Sequence, residues 1–194
     1  MNTNLLVLVT SWSAYLSAAA TILTFVTGIL FFTVGGAFGK INDISSVFQV
    51  LFMIPLALVL YRLLPDNTRM WGLIAALIGI AGMLVAAYGQ SLLVFGKIDF
   101  EGSMRYFPAG AAIGIWLIVT GAFTLSHNLF PNGLAWTGIL AGVSYIVIVL
   151  AFLIKGQQNM VFYIGGLVLG ISYPVWAIWL GRLIGTGTLI VKLS

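Results

Sequence analysis

Long apolar stretches alternate along this chain with short polar clusters: GKIND, PDNTRM, KIDFEGSMRYFP, FPNG and KGQQN. A helix needs about 20 apolar residues to cross a hydrocarbon layer roughly 30 Å thick. Six stretches come close to or exceed that length, at residues 14–36, 44–64, 71–96, 109–126, 134–154 and 161–184. They are continuously apolar, whereas strands of a membrane barrel alternate apolar and polar side chains over about ten residues. The pattern therefore predicts an all-α fold: one integral membrane domain over residues 1–194, with six transmembrane helices in antiparallel up-down hairpins. A first helix starting at Leu5 would hold about 32 residues and reach roughly 48 Å. Thr10, Ser11, Trp12 and Ser13 are accordingly expected near one membrane interface.

Composition agrees with this reading. The chain is 61% hydrophobic and 6% charged, where soluble domains carry about 25% charged residues. It contains no cysteine, which excludes disulfides, thiolate nucleophiles and cysteine-based metal sites. No basic residue precedes Lys40, so the first apolar stretch is expected to be a retained anchor rather than a cleaved leader. The formal charge is +4, with the cations scattered singly at loop edges. That distribution suits anionic lipid headgroups and not nucleic acid. Six crossings place both termini on one side. Arg62, Arg69, Arg182 and Lys192 then face Lys40, Lys97, Arg105 and Lys155 across the membrane, an even split. The basic loop YRLLPDNTR favours cytoplasmic termini.

Two segments echo one another: YRLLPDNTRMWGLIAAL from Tyr61 and HNLFPNGLAWTGILAG from His127. Pro65 aligns with Pro131, Asp66 with Asn132 and, after a one-residue gap, Trp71 with Trp136. Each reads as a helix end, a proline stop, a turn, a tryptophan at headgroup level and a new helix. His127, the single histidine, is thus expected at an interfacial helix end. Ser126 and His127 do not form a nucleophile and base, because adjacent helical residues point about 100° apart. Neither a metal site nor a cofactor is expected from one histidine and four scattered acids.

The central parts of the spans hold no Asp, Glu, Lys or Arg, which argues against proton-coupled carriers, voltage sensors and retinal proteins. Gln49 and Gln90 remain as embedded amides. They lie about 18 and 23 residues from the turn at Asp66, within roughly 7 Å in depth, so a hydrogen bond between their helices is feasible. GVSY from Gly142 and GISY from Gly170 form a second echo. Counted from a loop centre at Gln157 and Gln158, each tyrosine comes level with the opposite glycine. The expectation is that each ring packs over that glycine; the functional alternative makes Ser144, Tyr145, Ser172 and Tyr173 a polar pocket at mid-membrane. Pro55 and Pro174 can kink their helices. Glycine pairs at Gly110/Gly114, Gly138/Gly142 and Gly166/Gly170 suit close helix packing. Asp99 and Glu101, flanked by Lys97 and Arg105, read as a solvated loop that forms a short interfacial element or a docking surface.

The order of these features resembles a bacterial membrane family catalogued as domain of unknown function 4386. The likeness lies in VFQVLFMIPLALVLYRLLPDNTRMWGLIAALIGIAG, FTLSHNLFPNGLAWTGILAGVSYIV and LVLGISYPVWAIWLGRLI, most of residues 44–184. It implies a multi-helix protein of a bacterial inner membrane and transfers no activity or site residue.

Two functional readings follow, with Gln49, Gln90, Ser144, Tyr145, Ser172 and Tyr173 as candidate ligand-binding residues. The first is a non-catalytic accessory component acting through helix packing, with membrane lipids, a protein partner or a second copy as its contacts. The second is a carrier or receptor for a neutral or lipid-like molecule. A continuous cavity joining the candidate residues favours the second, and a filled interior the first. A membrane enzyme would need His127 beside Asp99, Glu101 or a bound cofactor.

Overall fold

The computed structural model describes residues 3–156 and 159–186. Its helices are α1 (Thr3–Thr33), α2 (Phe38–Leu60), α3 (Asp66–Val94), α4 (Phe100–Ser103), α5 (Ala109–His127), α6 (Asn132–Lys155) and α7 (Met160–Gly185), with 3₁₀ turns at Tyr61–Leu63 and Met104–Tyr106. They fall into six segments long and apolar enough to cross a membrane, α4 opening the segment Phe100–His127 that α5 completes, and no strand occurs among the described residues. This is the architecture of a multi-pass integral membrane protein. Gln157, Gln158 and Lys192 lie outside the described residues.

Helix α1 begins well before residue 14 and runs unbroken through Thr10, Ser11, Trp12 and Ser13. Thr10 donates to the carbonyl of Leu6 at 2.7 Å, and Ser11 to the carbonyl of Gly181 in α7 at 2.8 Å. With their hydroxyls satisfied inside the bundle, these residues have no reason to end the helix.

The echoed turns share one backbone solution. Pro65 (φ −56°, ψ 153°) and Pro131 (φ −55°, ψ 136°) each hold an extended conformation immediately before a helix start. Trp71 and Trp136 follow on the outer surface, 63% and 60% exposed, as headgroup-level indoles require. His127 closes α5, and Asn128 after it takes the left-handed conformation (φ 49°) that asparagine tolerates at helix ends.

Each long helix packs against two neighbours, in the order α1, α2, α3, α5, α6, α7 and back to α1. The result is a closed ring. Its two halves along the axis differ. The half bearing the described terminal ends is filled by Met53, Leu56, Leu60, Trp116, Tyr173, Trp176 and Leu180, all buried. Trp116 and Trp176 meet edge to face, their centroids 6.0 Å apart. Glycine makes room for both: Trp116 lies over Gly79 of α3 and Trp176 over Gly138 of α6. Pro55 and Pro174 sit in α2 and α7 beside members of this plug.

Candidate functional site

The opposite half of the ring is open. Late α1, early α2, late α3, early α5, late α6 and early α7 all contribute to a cavity of about 280 Å³. That alternation of late and early segments is what antiparallel neighbours produce. Its polar lining residues include Gln49, Gln90 and Tyr145, together with Thr24, Ser46, Ser103 and Tyr106. The Gln49 amide nitrogen donates to the Tyr145 hydroxyl at 3.0 Å, joining α2 to α6 across the ring. Gln90 offers a buried side-chain carbonyl oxygen that has no hydrogen-bond partner among the described residues. The surrounding wall is apolar, with Val50, Ile113, Ile148 and Leu169.

A second chamber of about 610 Å³ lies above the first, toward the membrane face opposite the termini. Thr24, Ser46, Gln90, Met104, Phe107 and Phe162 line both chambers, so the two abut. Its rim includes the exposed residues Phe32, Lys40, Gly96 and Phe100. Asn42 and Asp43 add polar groups to the wall of this vestibule. Together the chambers form a cup, floored by the aromatic plug and open at one face.

The segment between α3 and α5 closes part of the mouth. Asp99 caps α4, its carboxylate accepting from the Gly102 N–H at 2.7 Å. Ser103, Met104, Tyr106 and Phe107 then reach the cavity wall. The Tyr106 ring lies over Gly89 of α3, and Phe107 lies 4.8 Å from Phe152 and 5.8 Å from Phe162 between ring centroids. The loop, one of whose expected forms was a short element, contains α4 and a 3₁₀ turn, and it serves as a partial roof.

Of the six candidate residues, Gln49, Gln90 and Tyr145 come together in one cavity, whereas Ser144, Ser172 and Tyr173 are not among its lining residues. Ser144 donates to the carbonyl of Leu140 at 2.8 Å and Ser172 to that of Val168 at 2.7 Å, each within its own helix. Tyr173 donates to the Ser17 hydroxyl of α1 at 2.9 Å, inside the packed half. The hydrogen bond that was feasible between Gln49 and Gln90 is not formed; the Gln49 amide nitrogen donates to Tyr145. Both nevertheless line the same cavity.

The expected tyrosine-over-glycine packing within the α6–α7 hairpin is also not found. Gly142 faces Gly114 and Ile118 of α5, and Gly170 faces Phe25 of α1. Tyr145 shares the α5-facing side with Gly142, and Tyr173 shares the α1-facing side with Gly170. Each glycine and tyrosine do share a face, but the two faces point to opposite neighbours in the ring.

Sequence reasoning passed over Thr24, Ser46, Asn42 and the roof. Asn42, Ser45, Ser46 and Gln49 fall at i, i+3, i+4 and i+7, a polar stripe on an otherwise apolar helix, and that was the available signal. Part of the stripe binds α1: the Asn42 amide nitrogen donates to the Thr24 carbonyl at 2.6 Å, and Ser45 and Thr24 share a 2.8 Å hydrogen bond. The rest lines the cavity.

His127 and Asp99 stand at opposite ends of the ring, separated by α5, whose length is about 27 Å at 1.5 Å per residue. Direct contact between them is excluded. Among the described residues, no three His, Asp or Glu side chains converge as metal ligands would. Neither a protein-family model, nor a curated protein, nor a solved structure matches the chain.

Proposed function

We propose that this protein binds a neutral, lipid-like small molecule in the cup, as a receptor or carrier. The observation that carries the reading is the unpartnered Gln90 carbonyl on the wall of a largely apolar, open-mouthed cavity. Leaving such a group unmet in a buried setting costs about 1–3 kcal/mol, and a ligand donor relieves that cost. The chamber volumes also match small-molecule sites, which run to about 300–1,000 Å³ with mostly apolar walls and a few placed polar groups. The rival reading, an accessory component acting only through packing, draws support from a filled interior. Here only half of the ring is filled.

The proposal extends to location. The resemblance to a bacterial membrane family and the basic loop at Arg62 and Arg69 support a bacterial inner membrane with cytoplasmic termini.

The test is native purification followed by mass spectrometry of all retained lipids, small molecules and proteins, for the wild type and Gly166→Leu. Gly166 lines the cavity, and a Cβ there meets no atom within 4 Å. Leucine at this position narrows the chamber, and its Cβ meets no backbone. One small molecule retained by the wild type and lost in the variant is the expected result. A stoichiometric protein partner, with no small molecule sensitive to the substitution, would return the protein to the packing reading.

A further inference from the structure

The hydrogen-bonding groups of the inner chamber restrict what it can hold. Among the described residues, no Asp, Glu, Lys, Arg or His lines it. A carboxylate, phosphate or ammonium brought there would lose its hydration without gaining a counter-charge. A pure hydrocarbon would leave the Gln90 oxygen as it is, buried and unmet.

Tyr145 supplies the complementary half. Its hydroxyl oxygen accepts from Gln49 at 3.0 Å, and its own hydrogen donates to no described group. A phenolic hydroxyl can do both at once. The chamber thus presents a buried acceptor that lacks a donor, on Gln90, and an uncommitted donor on Tyr145, beside the donors of the Gln90 amide nitrogen itself. An ester or ketone oxygen accepts and cannot donate. An alcohol can do both: its hydrogen meets the Gln90 oxygen and its oxygen accepts from a donor such as Tyr145.

We propose that the inner chamber selects the hydroxyl group of an uncharged aliphatic alcohol, with Gln90 as hydrogen-bond acceptor and Tyr145 as donor. Val50, Ile113, Ile148 and Leu169 surround the first carbons. Phe107 and Phe162, shared by the two chambers, form an apolar collar for the chain behind them. This inference rests on the proposal that the cup binds a small molecule, and narrows it to one chemical class.

The experiment titrates the full chain, stripped of bound lipid in detergent, with decan-1-ol, methyl decanoate or decanoate, and counts bound molecules by native mass spectrometry. One decan-1-ol per chain is expected, bound about tenfold or more tightly than either analogue, because a site built around a hydroxyl rejects groups that leave its partners unpaired. Gln90→Leu and Tyr145→Phe should each weaken decan-1-ol by about tenfold, whereas Gln90→Leu should leave the methyl ester, which cannot donate to that oxygen, unaffected. Thermal melting of each variant confirms that it is folded. If the ester or decanoate binds as tightly as the alcohol, and Gly166→Leu abolishes that binding, the hydroxyl assignment is wrong while the cup still binds ligands. If none of the probes binds saturably in a manner that Gly166→Leu removes, both proposals fall.

Discussion

Gln90 and Tyr173 show how two polar side chains in one membrane bundle differ in kind. Tyr173 is fully buried and its hydroxyl is satisfied by Ser17, so its role is to hold α7 to α1. Tyr173→Phe should lower stability by about 0.5–1.5 kcal/mol, the net worth of one hydrogen bond, and leave ligand retention unchanged; thermal melting and native mass spectrometry read the two effects separately. Gln90 carries the opposite expectation. Gln90→Leu removes a carbonyl oxygen that is buried without a partner, so the ligand-free protein should gain about 1 kcal/mol while losing ligand. A lower melting temperature for the ligand-free variant would mean that the amide is structural. The sequence made the glutamines conspicuous because an amide in an apolar run has few reasons to be there. It could not sort the hydroxyls. Ser144 and Ser172 donate to carbonyls four residues back, and a serine that satisfies itself within its own helix leaves no trace of which way it faces.

Among helices, three glycine pairs with the same spacing behave differently. Gly114 of α5 and Gly142 of α6 pack reciprocally: a Cβ on either would lie 2.6 Å from the carbonyl oxygen of the other. Gly114→Ala or Gly142→Ala should therefore force α5 and α6 apart and cost about 1–3 kcal/mol, as overpacked interiors do. Gly166→Ala points into open space and should be neutral or stabilising by up to about 1 kcal/mol, through helix propensity alone. Chemical denaturation of the three variants in one detergent distinguishes these outcomes, and equal losses would contradict the packing described. All six spans were legible from hydropathy, because burial in lipid demands length and apolarity whatever the neighbours. The partner of each helix face was not. Gly142 and Tyr145 lie on one side of α6 by helical geometry, but that side turns to α5 rather than α7, a choice made by the ring and not by the hairpin.

For the whole molecule, the cup predicts one-sided access. The chain has no cysteine of its own, so each introduced thiol is unique. Ser46→Cys, on the wall shared by both chambers, should react with a membrane-impermeant thiol reagent from the face that carries Lys40 and Lys97. Leu56→Cys, within the aromatic plug and fully buried, should react from neither face in sealed vesicles. Reaction of Leu56→Cys from the terminal face would show that the plug opens. Closure of the ring was the feature least visible in the sequence, because it depends on contact between the first and last helices, and no local pattern encodes a meeting so distant. That seam, where Ser11 of α1 donates to Gly181 of α7 across 170 positions, also dictates an order of events during synthesis. While the ribosome is still making the later helices, α1 stands in the bilayer with the hydroxyls of Ser11 and Ser17 turned toward a neighbour that does not yet exist. Until α7 emerges, the nascent protein is an incomplete circle whose seam stays open.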